Sequence, residues 1–167
     1  MFAIDAGVTA AISGVTIENG NATENILYGI YGAIYNVGTL TVTNCTLSGN
    51  FATGGGALAN FDGGTLTVTN STLSGNSATY GGAIDNEGTF TLNNSTISSN
   101  SATRDDGGGI YNFANTLMVN NSTISGNSSA EDCGGIFNFG RSRSLTVRSR
   151  ATPPLVRAAG SGTMSAM

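Results

Sequence analysis

Apolar residues recur along this chain at a fixed spacing, and the polar residues between them recur with them. The segment at 38–58 reads GTLTVTNCTLSGNFATGGGAL, and close copies follow at 64–84, 88–110 and 115–136. The apolar residue that ends each copy is 26 positions after the one before it, and Ile34 precedes the first of them by 24. A period in this range is typical of solenoids and other repeat arrays. The repeat itself, and not any single predicted strand, therefore indicates the fold class.

Within each copy, the stretch TLTVT alternates apolar and polar residues, which predicts a strand with one buried face. Two further short strands are predicted around AIYN and STLSGN, with Gly, Asn and Asp in the turns between them. A three-stranded unit this small cannot bury its apolar face alone, so like units must stack with parallel pairing. We therefore predict an all-β fold, a single-stranded parallel β-helix (solenoid) with three short strands per coil and about five coils.

Stacking at a fixed period places the same residue type one above another in columns. One apolar column is predicted from Ile34, Leu58, Ile84, Ile110 and Ile136, and others start at Leu40, Val42 and Leu47. Asparagine forms two columns, Asn50, Asn76, Asn100 and Asn127, and Asn36, Asn60, Asn86, Asn112 and Asn138. These amides either bond to backbone and to each other as ladders or present a polar row to a glycan. We favour ladders, because a scaffold requires the same residue in every coil.

Charge is distributed unevenly along the chain. Residues 1–140 contain ten acids and one base, Arg104, for 1 − 10 = −9, whereas 141–167 contain five arginines and no acid, so the total is −4. With a single base to neutralise phosphates, the array is expected to have no nucleic-acid partner. The absence of histidine excludes a Ser-His-Asp triad and the common catalytic zinc sites. We also expect no transmembrane segment and no signal peptide in this fragment.

Acidic pairs occupy the same turn of two adjacent coils. Asp105 and Asp106 precede Ile110 by five and four residues, and Glu131 and Asp132 stand in the same relation to the next coil. Stacked carboxylates repel one another unless water or a cation lies between them, and a hard, oxygen-liganded ion such as Ca²⁺ suits them. The alternative is a solvated turn that tolerates acids. Apart from Ca²⁺ at this turn, no cofactor is expected.

The repeats resemble those of a known family. GGAL at 55–58, GGAI at 81–84 and the tetrads LSGN, ISSN and ISGN are similar to the GGAI and FxxN repeats of polymorphic outer-membrane proteins and related bacterial right-handed β-helix proteins. The resemblance covers about residues 12–140. It implies a right-handed helix that serves as a secreted or surface domain, often adhesive. The full-length protein is then expected to be secreted, or located at the cell surface or outer membrane.

The repeat stops at Arg141, where RSRSLTVRSRATPPLVRAAGSGTMSAM brings in both prolines and five arginines. One interpretation is an irregular basic tail at 141–167, following a repeat array at 1–140. The other is an out-of-frame continuation of the repeat. A codon choice exists for 140–167 that, read from the third base of the first codon, encodes TLTVTNSTLSGNSATGTGGGIWNYVG, the next coil. We favour the frameshift and expect the segment to dock loosely at most, because it lacks the alternation needed to add a coil.

The expected function is non-catalytic, structural or adhesive, and carried out by the long lateral faces, with an unidentified host-surface, glycan or matrix ligand. The main alternative is a fragment of a polysaccharide lyase or hydrolase, which requires carboxylates or Ca²⁺ close to the sugar. Asp62, Asp85 and Glu87 fall near one turn of neighbouring coils. A further alternative is ice binding by outward threonines, although Met118 interrupts one of the columns, which begin at Thr39, Thr41 and Thr43.

Overall fold

The structure is a computed structural model that describes residues 1–22, 31–113 and 116–139, together with the backbone of strand residues 145–149, 156–158 and 164–166. Every regular element within these ranges is a β-strand. In chain order the strands are β1 (Phe2–Ile4), β2 (Thr9–Ser13), β3 (Thr16–Glu18), β4 (Ile34–Asn36), β5 (Thr39–Thr43), β6 (Thr46–Ser48), β7 (Leu58–Asn60), β8 (Thr65–Thr69), β9 (Thr72–Ser74), β10 (Ser77–Ala78), β11 (Ile84–Asn86), β12 (Thr89–Asn93), β13 (Thr96–Ser98), β14 (Ser101–Ala102), β15 (Ile110–Asn112), β16 (Thr116–Ser125), β17 (Ser128–Ser129), β18 (Ile136–Asn138), β19 (Leu145–Ser149), β20 (Val156–Ala158) and β21 (Met164–Ala166).

Each coil contributes one strand to each of three stacked sheets. The first sheet has the order β1-β4-β7-β11-β15-β18-β20. The second stacks β2-β5-β8-β12-β16 and the third stacks β3-β6-β9-β13-β16, because β16 is long enough to belong to both. All the strand pairs are parallel, with register shifting only between β16 and β19. The prediction of an all-β parallel solenoid of about five coils is confirmed.

Two features of the coil were not predicted. A fourth, two-residue strand follows the third sheet in three coils, where β10, β14 and β17 stack as a small sheet of their own. The chain also bends sharply between the second and third sheets, at asparagines with φ of 47–54°. Asparagine tolerates this left-handed conformation better than most residues, which accounts for its recurrence at the bend. The bend residues are Asn44, Asn70, Asn94 and Asn121.

The apolar columns form the core of the solenoid. Ile34, Leu58, Ile84, Ile110 and Ile136 pair in register in the first sheet, and none has exposed surface. The columns that start at Leu40, Val42 and Leu47 pair in the same way. Burial of each large aliphatic side chain contributes about 1.5–3 kcal/mol. The inward residues of the first coil, Ala10, Ile12 and Ile17, are only partly buried.

The asparagine column Asn50, Asn76, Asn100 and Asn127 is a continuous amide ladder beside the third sheet. Nδ2 of Asn76 donates to Oδ1 of Asn100 at 2.9 Å and to the carbonyl of Leu47 at 3.0 Å. Oδ1 of Asn76 accepts from the backbone N and from Nδ2 of Asn50, both at 3.0 Å. All four bonding positions of this buried amide are therefore used, which offsets the cost of removing it from water.

The second asparagine column stacks at the end of the first-sheet strands. Nδ2 of each residue donates to Oδ1 of the next at 2.6–2.7 Å, through Asn36, Asn60, Asn86, Asn112 and Asn138.

Buried serine hydroxyls form a third polar column, which was not predicted. Oγ of Ser95 accepts from the backbone N of Ser71 at 3.1 Å and donates to a carbonyl of its own coil at 2.7 Å. Inward polar groups thus find their partners along the solenoid axis.

Strand pairing continues into the C-terminal segment. The backbone of β19 pairs with β16, with Leu145 opposite Leu117 and Val147 opposite Val119. β20 pairs with β18, and β21 pairs with β19. LTV supplies enough alternation for one strand at these positions, and the irregular tail at 141–167 stays a prediction. The boundary at 140 and the frameshift stay predictions.

Candidate functional site

One lateral surface of the solenoid carries most of the aromatic side chains among the described residues. It is formed by the outward positions of the first sheet, where Tyr35, Ala59, Asp85, Tyr111 and Phe137 pair in register on consecutive coils. A second column, two residues further along each coil, flanks this one. We call the surface the aromatic face, and its rings are Tyr31, Tyr35, Phe61, Tyr80, Tyr111, Phe113, Phe137 and Phe139.

The rings form two groups that lie at different heights along the axis. In the first group, Tyr31 packs on Phe61 with ring centroids 4.5 Å apart and on Tyr35 at 5.5 Å. In the second group, Phe113 stacks on Phe139 at 5.0 Å with an interplanar angle of 4°. These separations are typical of favourable ring pairs, which add about 0.5–1.5 kcal/mol beyond area burial. The remaining members of the second group are Tyr80, Tyr111 and Phe137.

A carboxyl replaces a ring between the two groups. Asp85 stands in the outward column where Tyr35 and Tyr111 stand in other coils. Its side chain has no exposed surface, and neither of its oxygens has a hydrogen-bond partner. A buried polar group without a partner costs about 1–3 kcal/mol. Among the described residues of the aromatic face, Asp85 is therefore the polar group whose burial costs the most free energy.

Gly54 makes the space that Asp85 occupies. Tyr31, Gly54 and Tyr80 stand side by side on consecutive coils. A Cβ atom at position 54 would lie 2.9 Å from Oδ2 of Asp85 and 2.8 Å from Cε2 of Tyr80. The carboxyl is thus enclosed beside a glycine backbone and between two tyrosine rings. A larger residue at position 54 would displace it.

The pKa shifts of the carboxyl and tyrosine groups described on this face are all upward. Burial raises the pKa of Asp85 well above its ordinary range, and the charge of Glu87 adds to the shift. Burial, followed by the charge of Asp62, raises the pKa of Glu87. Burial, together with nearby carboxylates, also raises the pKa of Tyr80 and of Tyr111 to about 12. Every cause disfavours additional negative charge, so the described side chains make this face acidic, and none of them is a base that lowers these pKa values.

The three carboxyls that the sequence placed near one turn therefore do meet on one face. Glu87 and Asp62 are exposed, and Asp62 has a left-handed backbone with φ of 50°. Asp62 lies in a connection, Phe61 to Gly64, that is two residues longer than its counterpart in the next coil. The longer connection allows Asp62 to act on Glu87 from the neighbouring coil. Only Asp85 is withdrawn from solvent.

The predicted Ca²⁺ residues come together only in part. Single carboxylate oxygens of Asp105, Asp106 and Glu131 lie within 4.8 Å of one another. Asp132 instead contributes its backbone N, which donates to Oδ1 of Asp106 at 2.7 Å, and the backbone N of Cys133 donates to the same oxygen at 3.3 Å. These two hydrogen bonds to Asp106 stabilise the turn of the next coil. The Ca²⁺ hypothesis therefore depends on three carboxylates.

The threonine columns lie on the outer side of the second sheet. Thr39 and Thr65 pair in register and are exposed, but Thr91 pairs with Met118, which is 39% exposed. A thioether in the array breaks the regular spacing of hydroxyls that ordered water requires. Threonine is in any case favoured on exposed strand faces, so the columns need no binding function.

Sequence reasoning missed the aromatic face, although a signal for it was present. Each first-sheet strand places one outward residue directly after its core residue, and a tyrosine or phenylalanine fills that position in three of the coils. The columns of inward residues are uniform and can therefore be recognised in the sequence as repeats. The outward column is mixed, and its aromatic character becomes evident only when the coils are aligned in register.

Comparisons with known proteins give one match. A family model described as a right-handed β-helix region matches residues 3–151. Neither the curated proteins nor the solved structures contain a significant match to the chain. Within the part of the chain that the structure describes, no helix is long and apolar enough to cross a membrane.

Asp85 predicts an unusual dependence of stability on pH. Because its pKa is raised on folding, the folded state binds the proton more tightly than the unfolded chain, and stability falls as pH rises above the ordinary carboxyl value of about 3.9. Asp85→Asn cannot ionise, so the variant should melt at a higher temperature than the wild type at neutral pH. The difference should vanish in acid. Melting temperature measured against pH checks this, with Glu18→Gln, an exposed acid of β3, as control. Parallel curves for wild type and D85N would contradict it.

The acidic turn predicts a response to Ca²⁺. If Asp105, Asp106 and Glu131 share an ion, Ca²⁺ added to the apo protein should release or absorb heat and raise the melting temperature by mass action. Glu131→Gln removes an exposed ligand and should abolish both effects, whereas Glu18→Gln should leave them intact. Calorimetric titration that shows no heat, with an unchanged melting temperature, would contradict the prediction of a Ca²⁺ site.

Proposed function

The chain belongs to the right-handed β-helix family, and we propose that it is a non-catalytic, adhesive repeat segment of a secreted or surface-exposed protein. In this proposal the solenoid is the scaffold, and the aromatic face binds a glycan. The full-length protein would resemble polymorphic outer-membrane proteins in this use of a repeat array. The observation that carries the proposal is the concentration of eight packed rings on one face of an otherwise polar solenoid, six of them at least partly exposed.

Ring exposure supports a binding role for this face. Phe113 and Phe139 are stacked on each other, yet they are 48% and 50% exposed. Burial of such rings within the protein would be favourable, so their position on an outward column needs a reason beyond stability. Exposed apolar patches rimmed by polar residues mark interaction sites. The outward edges of the stacked rings form an apolar strip against which the apolar face of a pyranose can pack, and the neighbouring carboxylates accept hydrogen bonds from sugar hydroxyls.

The pairing of the first sheet favours a glycan over an extended peptide. Peptides recognised by strand addition need a free sheet edge. Along the aromatic face, β4, β7, β11 and β15 are each paired on both sides, so no backbone groups are free for a peptide. The face offers side chains only, in a strip parallel to the solenoid axis. A linear polysaccharide lying along that strip would contact rings on successive coils.

One observation favours the alternative of a polysaccharide-cleaving enzyme. Asp85 and Glu87 stand at adjacent outward positions of one coil, and the pKa of each is raised, as a general acid requires. A general acid must, however, come within hydrogen-bond distance of the glycosidic oxygen. Asp85 is fully buried between two tyrosines and beside Gly54. The arrangement therefore supports binding better than cleavage.

Removal of the exposed rings should weaken glycan binding. We expect Phe113→Ala and Phe139→Ala to reduce affinity for the best ligand of a polysaccharide array about tenfold each, a loss of about 1.4 kcal/mol. Phe51→Ala is the matched control, since Phe51 is 43% exposed but lies away from the aromatic face. Binding is measured on the array and then by calorimetry.

Two results would contradict the proposal. Equal losses in F51A, F113A and F139A would mean that binding does not use this face. Release of reducing or unsaturated sugar from any polysaccharide, abolished by Glu87→Gln, would mean that the protein is an enzyme.

A further inference from the structure

We propose that the glycan bound by the aromatic face carries ammonium groups, as a deacetylated amino-sugar polymer does, and that Asp62 and Glu87 bind an ammonium group between the two groups of rings. This inference rests on the proposed glycan-binding function and specifies its ligand class. A neutral glycan needs only the rings and hydrogen-bond partners. The arrangement of carboxyls between the rings calls for a cation.

The carboxyls occupy the interruption in the aromatic column. The outward position holds Tyr35 in one coil and Tyr111 three coils later, with Ala59 and Asp85 between them. At a strand spacing of about 4.8 Å, the two rings are roughly 14 Å apart along the axis. Glu87 stands beside this interruption in the flanking column, where Phe61 and Phe113 stand in the adjacent coils. A glycan that stacks on both ring groups must therefore pass over the carboxyls.

No base among the described side chains offsets the negative charge at this point. Asp62 disfavours ionisation of Glu87, and Glu87 disfavours ionisation of Asp85. No base contributes to any of the pKa shifts on this face, and Arg104 is the single base among residues 1–140. A ligand cation would relieve both repulsions. An anionic glycan would increase them.

Asp85 is an independent indication of a cation. Fully buried carboxyls in proteins are normally paired or hydrogen-bonded, yet both oxygens of Asp85 lack partners. Burial, followed by the effect of an ionised Asp85, raises the pKa of the Tyr31 and Tyr80 hydroxyls, so the carboxyl lies close enough to act on a charge at these two rings. An ammonium placed against these two rings would gain from the ring faces and also from the carboxyl that they enclose. The enclosed acid thus strengthens a cation site without contacting the ligand.

The test compares matched oligosaccharides that differ only in charge. Binding of a glucosamine hexamer and of its N-acetylated counterpart is measured by calorimetry in weakly acidic, low-salt buffer. We expect the glucosamine hexamer to bind at least about tenfold more tightly, and added salt to reduce this preference. The double variant D62N/E87Q should bind both hexamers equally, and its melting temperature should be no lower than that of the wild type, because the substitutions remove the repulsion among these carboxyls. The control Glu18→Gln changes an exposed acid of the third sheet and should keep the preference.

The outcomes separate this inference from the proposed function. Equal binding of the two hexamers by the wild type, or a preference that survives in D62N/E87Q, overturns the cation site but leaves glycan binding intact. A lysine hexapeptide that binds as tightly as the glucosamine hexamer would show that charge alone is recognised, and would also overturn the inference. Failure of every glycan to bind removes the proposed function, and this inference falls with it.

Discussion

Parallel stacking in register is the constraint on which the rest of this structure depends. Each inward position pairs with the same position of the next coil, so a buried side chain meets its own counterpart above and below. An apolar residue then packs on an apolar residue. A buried amide bonds along the axis to the amide at the same position of the next coil, as Asn76 and Asn100 show. One unmatched polar residue at such a position would cost about 1–3 kcal/mol, which explains why whole columns are uniform.

Outward positions are free of this constraint, and there the coils differ from one another. The same column can hold Tyr35, Ala59 and Asp85, because an outward side chain need not match its neighbours. Connections can also lengthen, as the one that carries Asp62 does. The aromatic face therefore varies in composition on strands whose pairing register does not vary. That division between a uniform interior and a diverse surface suits a scaffold whose recognition resides on its lateral faces.

Sequence alone predicted the interior almost completely, since uniform columns are visible as repeats. Ile34 and its four counterparts, and both asparagine columns, needed only the period and the alternation of strands. The enclosure of Asp85 could not be predicted, because it depends on Gly54 and two tyrosines from other coils. The contacts of Asp132 could not be predicted from the sequence either. Its spacing places it with the other acids, but the hydrogen bond to Asp106 is donated by its backbone N.

The dependence of the fold on the amide ladder can be measured directly with Asn76→Ala. The substitution leaves the backbone N and Nδ2 of Asn50 without their acceptor and the carbonyl of Leu47 without its donor. We predict that the free energy of unfolding in urea falls by about 3 kcal/mol. Thr65→Ala, at an exposed position of β8, should change it by less than about 0.5 kcal/mol. Equal, small effects of the two substitutions would contradict the account.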